Sequence, residues 1–127
     1  MSANLPLYHL TCEHGRNGIG TRGMCVPNPE PRALEVQPWL TQMVSWFTTD
    51  PEADQYANGL ASLVLPCNRT KYVYRVITPG RCEPWIGSKH RTQFAIDSLE
   101  GPGQRPELWW VATEPVAVRL VRVRGGV

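Results

Sequence analysis

The sequence predicts a single α+β domain, a mainly antiparallel β-sheet with a few short helices, and three observations predict it. Twelve prolines and eleven glycines among 127 residues imply many turns and few long helices. The apolar residues fall in short, strand-length runs, some of which alternate with polar residues. The length fits one domain with a real hydrophobic core, spanning 1–127, and no internal repeat or linker divides it.

Taken in order, Leu5 to Thr11 alternates enough to form the first strand. Residues 12–37 form a long Gly/Pro-rich connection interrupted by a short strand at Met24 to Val26. Loops of that length inside compact domains are usually functional or mobile. Met43 to Thr48 reads as a strand that ends at a helix start. Thr49 or Asp50 can cap, Pro51 suits the first helical position, and Glu52 favours the positive end of the dipole. That helix runs through Asp54, Tyr56 and Ala57 and stops at Asn58-Gly59. Leu60 to Leu65 fits either a helix end or a strand.

Lys71 to Thr78 places Tyr72, Tyr74 and Val76 on one face and Val73, Arg75 and Ile77 on the other. Pro79-Gly80 ends it, and residues 81–92 read as loop. Thr92 to Leu99 reads as a short helix before the Gly101-Pro102-Gly103 turn. Leu108 to Ala112 and Val116 to Val123 are the last two strands, with Pro115 marking a bend between them.

Composition removes several function classes. The apolar fraction is 42% and the charged fraction 19%, ordinary values for a folded globular chain. A net charge of +2 is too small to indicate nucleic acid, and Arg119, Arg122 and Arg124 read as a solvated face. No run approaches the roughly 18 apolar residues that span a bilayer. No secretory signal precedes the first strand, so the expected location is the cytoplasm and no membrane partner is expected. Cys12, Cys25, Cys67 and Cys82 are then expected to be reduced. Cys12, His14, Cys25 and His9 lie near one another in sequence, but no C-x-x-C or H-x-x-x-H pair occurs, and no metal is expected. There is no P-loop, G-x-G-x-x-G or G-x-S-x-G.

Four ordered stretches carry the functional signal. They are Tyr8-His9-Leu10-Thr11, Trp46-Phe47-Thr48, Tyr72-Val73-Tyr74 leading through Pro79-Gly80 to Glu83-Pro84, and Glu114-Pro115-Val116. Each sets a histidine, an aromatic, a hydroxyl or a carboxylate at the edge of an apolar, strand-like run. Strands hold such end residues well enough to build one site from several. Glu114, at the strand bend, reads as scaffold.

This ordered set resembles the ADP-ribosyltransferases, most closely the small rifamycin-inactivating group. In those proteins the first strand carries Tyr-His-Gly-Thr, the second ends in Tyr-Phe-Ser before a helix, and an acidic residue precedes proline after a Pro-Gly turn. The resemblance spans residues 7–121 and implies the split antiparallel sheet of that family. It also implies a glycosyltransferase that takes NAD as donor, breaks the bond between nicotinamide and ribose, and passes ADP-ribose to an acceptor. The sequence does not name the acceptor, which could be a small molecule such as a rifamycin, a protein or a nucleic acid.

The resemblance assigns catalysis to Glu83 and His9, and NAD contacts to His9, Leu10, Thr11, Trp46, Phe47 and Thr48. Positive charge develops on the sugar as the glycosidic bond breaks, so a preorganised carboxylate favours departure, and Glu83 fits that role. It could also align or deprotonate the acceptor. His9 would bond the adenosine ribose hydroxyls with one nitrogen while a neighbour holds the other. Trp46 would stack on nicotinamide. Thr11 and Thr48 would add hydroxyl contacts, and Arg16, Arg22 or Arg91 would meet the pyrophosphate. Three positions depart from the pattern: Leu10 stands where the family has glycine, Trp46 where it has tyrosine, and Glu83 where the rifamycin enzymes have aspartate. At position 10 the backbone groups remain, provided the leucine points away. Two alternatives remain open: a relative of the tRNA 2′-phosphotransferases, and a catalytically inactive ligand- or partner-binding module.

Overall fold

A computed structural model describes residues 6–12, 16–17, 19–20, 23–25, 44–53, 58 and 70–124. Among them, seven strands form one antiparallel sheet, accompanied by short helices. The strands are β1 (Tyr8–Thr11), β2 (Met24–Cys25), β3 (Ser45–Thr48), β4 (Tyr72–Val76), β5 (Glu83–Pro84), β6 (Trp109–Ala112) and β7 (Val116–Val123). Their order across the sheet is β2-β7-β4-β1-β3-β6-β5. The α-helix, α1 (Gln93–Leu99), and two short 3-10 turns, Pro79–Arg81 and Pro106–Leu108, lie between strands.

Local chemistry explains the longer elements. β4 and β7 are rich in β-branched and aromatic residues, which suit a pleated, half-buried surface. They pair from Tyr72↔Val123 to Val76↔Val118, with a bulge between Val73 and Tyr74. α1 begins where the Thr92 hydroxyl accepts from the Ala95 N–H, and it ends with the Glu100 N–H on the Ile96 carbonyl.

The sequence reading is corrected at two places. Glu83–Pro84, read as loop, is an edge strand paired with β6 as Glu83↔Val111 and Pro84↔Trp110. Proline is tolerated there because an edge strand has a side that needs no N–H. Residues 51–53, read as a helix start, form a turn. The Asp50 side chain accepts from the Glu52 N–H and the Asp50 carbonyl from Ala53. The continuation of that helix to Ala57, the Leu60 to Leu65 segment, Val26, His14, Arg22 and Cys67 lie outside the described residues.

Two cores form on the two faces of the sheet. One gathers Leu7, Ile19, Cys25, Phe47, Tyr72, Tyr74, Val76, Cys82, Ala112, Val116 and Val118, with Trp110 against it. The other gathers Val44, Trp85, Ala95, Leu108, Trp109 and Val111, with Trp46, Ala53 and Leu99 against it. The alternation of β6 shows the division: Trp109 and Val111 belong to the second core, Trp110 and Ala112 to the first. Among the described residues no helix is long and apolar enough to cross a membrane.

The sheet has a seam. β1 shares four registered pairs with β4, and β3 shares four with β6, yet β1 and β3 share the single pair Tyr8↔Thr48. Among the described residues the chain therefore makes two well-laddered halves joined by one registered pair and by a shared core.

Candidate functional site at the seam

His9 sits at this seam. In the ladder with β4, Leu7 accepts from the Val76 N–H, so residues 7, 9 and 11 turn their backbone groups toward β4. Tyr8 and Leu10 turn theirs toward β3. Registered pairing stops after Tyr8, and the Trp46 carbonyl instead takes the His9 Nδ1–H at 2.8 Å. A carbonyl only accepts, so this bond fixes the proton on Nδ1 and leaves Nε2 as the acceptor or second proton site. The neighbour holding the histidine is thus the strand across the seam. The Phe47 ring, 5.5 Å away and tilted by 54°, supports the imidazole from the side.

Cys25 completes this cluster. Its Sγ lies 3.6 Å from His9 Nε2 and 3.7 Å from Nδ1, so the thiol faces the ring edge between the two nitrogens. Burial pushes this thiol up, but the charge of His9 and hydrogen bonds with His9 and Ser45 outweigh it, and the net shift is downward. Cys82, in the same core, is pushed up to about 12, first by burial and then by the charge of Cys25. Two buried cysteines on one face are thus shifted in opposite directions, and the histidine beside Cys25 is a main cause of the difference.

The other face carries the remaining candidates. Trp46 pairs with Val111, and Val111 with Glu83, so Trp46 and Glu83 lie in one transverse row on the same face. Two strand spacings separate them, about 10 Å. Trp46 is half-buried and meets Trp85 at 4.8 Å and Trp109 edge-on at 6.1 Å. Glu83 is exposed at the sheet edge and forms no ion pair among the described residues. Leu10 is buried, and strand alternation puts its side chain on the face opposite His9.

The structure separates the candidate residues into contrasting positions. His9, Thr11 and Phe47 share a face with Cys25. Leu10, Trp46, Thr48 and Glu83 share the other. His9 and Glu83 are three strand spacings apart, about 14 Å, and are not in contact. Phe47 is core. Thr48 is buried, its hydroxyl donating to Asn58 Oδ1 at 2.7 Å and accepting from the Asp50 N–H at 3.1 Å, so it braces the turn after β3. Thr11 is half-buried opposite Tyr72.

The arginines also divide. Arg91 is committed to a bidentate pair with Glu100, at 2.8 Å from both Nε and Nη2. Arg16 is exposed, beside the Tyr72 ring at 5.1 Å. Of the basic cluster on and just after β7, Arg122 and Arg124 pair with Glu52, while Arg119 stands opposite Arg75.

Sequence reasoning missed two residues that shape the site. Cys25 was weighed with His9, Cys12 and His14 only as a metal ligand, and nothing in the Met24 to Val26 run marks its thiol as the partner of the His9 ring. Trp85 lay in a stretch read as loop, two residues beyond Glu83. It is 1% exposed, and its Nε1–H donates to Glu100 at 2.8 Å. A large aromatic so near the proposed carboxylate was the available signal.

Comparison with protein-family models, with curated proteins and with solved structures yields no match.

Proposed function

We propose that the protein is an NAD-dependent mono-ADP-ribosyltransferase whose donor site is the seam between β1 and β3. The observation that carries this reading is the anchored histidine: the ladder stops, the Trp46 carbonyl holds His9 Nδ1, and the Leu10 backbone edge faces the same gap. That supports the assignment of His9 Nδ1 to structure; Nε2, which also faces the Cys25 thiol, is the nitrogen assigned to the ribose hydroxyls. His9 and Glu83 lie on opposite faces and three strand spacings apart, about 14 Å, so an extended dinucleotide would have to cross the seam to touch both.

In this reading Trp46 offers the exposed part of its ring to nicotinamide, with Trp85 and Trp109 fixing its tilt. Glu83 presents its carboxylate to the ribose as positive charge develops there. Leu10 is buried on the face it shares with Trp46 and Glu83, so its backbone edge at the seam is the part of it offered to the donor.

The test is release of nicotinamide from NAD, followed by mass spectrometry with and without cell extract or rifampicin. The expected result is slow cleavage by the protein alone and faster cleavage with the acceptor. Glu83→Gln is expected to lower turnover by about 100-fold or more. Because Glu83 is exposed, its unfolding midpoint should not move. Parent-level turnover in Glu83→Gln would remove the assigned carboxylate. No cleavage together with no thermal shift on adding NAD would remove the donor site altogether.

A further inference from the structure

β7 is uncovered over a stretch where a sheet strand is ordinarily half covered. Val116 and Val118 are buried, but Arg119, Leu120, Val121, Arg122 and Val123 are all exposed. Strand alternation alone would expose every second residue. Leu120, Val121 and Val123 are 38, 46 and 51% exposed, and they are three of the five large apolar side chains left uncovered among the described residues. Apolar area concentrated in this way marks an interaction surface.

The backbone of the stretch is open as well. β4 occupies one edge of β7 from Val118 to Val123. On the other edge β2 pairs only with Val116 and Ala117, and the Gly23 carbonyl takes the Val118 N–H at 2.7 Å. Beyond Val118 no backbone bond reaches that edge among the described residues. The Val118 N–H points outward, so by strand alternation Leu120 presents its N–H and carbonyl on the same side.

The two faces of the stretch differ in chemistry. Arg119 lies on the face of Arg75, its partner on β4, whereas Leu120 and Val123 lie on the other face with Tyr74 and Tyr72. Arg75 and Arg119 are directly opposite, with Cβ atoms about 5 Å apart, where like charges weaken the pairing. Both are exposed, and neither meets a carboxylate among the described residues, whereas Arg122 and Arg124 share Glu52. A negative group from outside would relieve this repulsion.

We propose that the outer edge of β7 docks an extended acidic segment of a partner polypeptide, which adds itself as a strand. Its backbone takes the edge beyond Val118. Alternate residues reach the two faces, so carboxylates meet Arg119, with Arg75 behind it, while apolar side chains cover Leu120 and Val123. The recognised pattern is acidic and apolar residues in alternation. A second copy of this chain is a poor occupant, because its β7 would bring arginine against arginine. β7 carries none of the residues assigned to NAD, so the proposal does not rest on that reading.

The experiment is a fluorescence-anisotropy titration with a fluorescein-labelled octapeptide of alternating glutamate and valine. Saturable binding at one site per chain is expected, weakening as salt rises. Arg119→Glu should weaken it about tenfold or more, and Arg75→Gln by about threefold. Both side chains are exposed, so the unfolding midpoints should not fall. Arg119→Glu should in turn gain binding to the lysine–valine counterpart, a reversal that loss of folding cannot produce. Two further octapeptides, N-methylated on glutamate or on valine, separate ladder pairing from charge alone. One of them removes the donors that face β7 and should not bind. Absence of saturable binding overturns the proposal, as does equal affinity in the parent and Arg119→Glu. Equal binding of both N-methylated peptides and the parent peptide overturns the added strand. A parent dimer in sedimentation that the octapeptide leaves intact assigns the edge to a second copy and also overturns the proposal.

Discussion

One face of the sheet is closed by indole rings, whereas the other buries thiols, phenols and an imidazole. On the first, Trp46, Trp85 and Trp109 meet at 4.8 and 6.1 Å and bring large apolar area with few polar atoms to satisfy. The Trp85 N–H goes to Glu100, and Glu100 also binds Arg91, so the loop after β5 is pinned to the end of α1. On the second, Cys25, Cys82, His9 and Tyr74 carry hydrogen-bonding and charge that the strand ladder does not consume. The first face is scaffold. The second holds the buried thiols, whose pKa values shift in opposite directions.

Three substitutions test this contrast. The largest effect is expected from Trp85→Ala, which empties the centre of the indole face and removes one of the two donors to Glu100 Oε2. A loss of about 3–5 kcal/mol in denaturant unfolding is expected. A loss below about 1 kcal/mol would show that this face is not the scaffold.

Glu100→Gln should come next, at about 2 kcal/mol, because it weakens charge-assisted bonds to Arg91 and Trp85 around a side chain only 8% exposed. It should also change the acid limb of stability. Hydrogen bonds from Arg91 hold the Glu100 carboxyl below its ordinary 4.5, against the opposing effect of burial. The pair therefore stabilises fully above that ordinary value, and its contribution fades as pH falls through the lower folded-state value. An acid-unfolding curve unchanged in Glu100→Gln would contradict this.

The smallest effect on stability, and the most specific, belongs to the opposite face. Alkylation of Cys25 followed by mass spectrometry against pH should place its thiol below the ordinary 9.0 in the parent. His9→Phe keeps a ring beside Phe47 but removes the charge and the hydrogen bond, so the titration should move upward toward the behaviour of Cys82. A titration that stays in place would assign the lowering to Ser45 instead.

The strands that carry their own period were legible in the sequence. Tyr72 to Val76 and Val116 to Val123 alternate or branch strongly enough to announce themselves, and Thr92 marks the start of α1. β5 was not legible, because two residues including a proline have no periodicity, and the strand exists only where Val111 and Trp110 offer it an edge. His9 could be singled out as a residue type in a motif. Its partner could not, since a backbone carbonyl at Trp46 becomes available only where the ladder between β1 and β3 stops. Sequence likewise could not rank Arg16, Arg22 and Arg91. The pairing of Arg91 is decided by Glu100, nine residues on at the end of a helix. The separation of His9 from Glu83 by three strands was also invisible, because chain order does not reveal strand order.

The two outermost strands, β2 and β5, are two residues long, and one of them ends in proline. Longer unpaired borders invite another chain to add itself and extend the sheet. At Pro84 a neighbouring chain would find no donor. Among the described residues β2 pairs only with Val116 and Ala117 of the eight-residue β7, and the border beyond carries Arg119, Arg122 and Arg124, charges that discourage an added copy of the same strand.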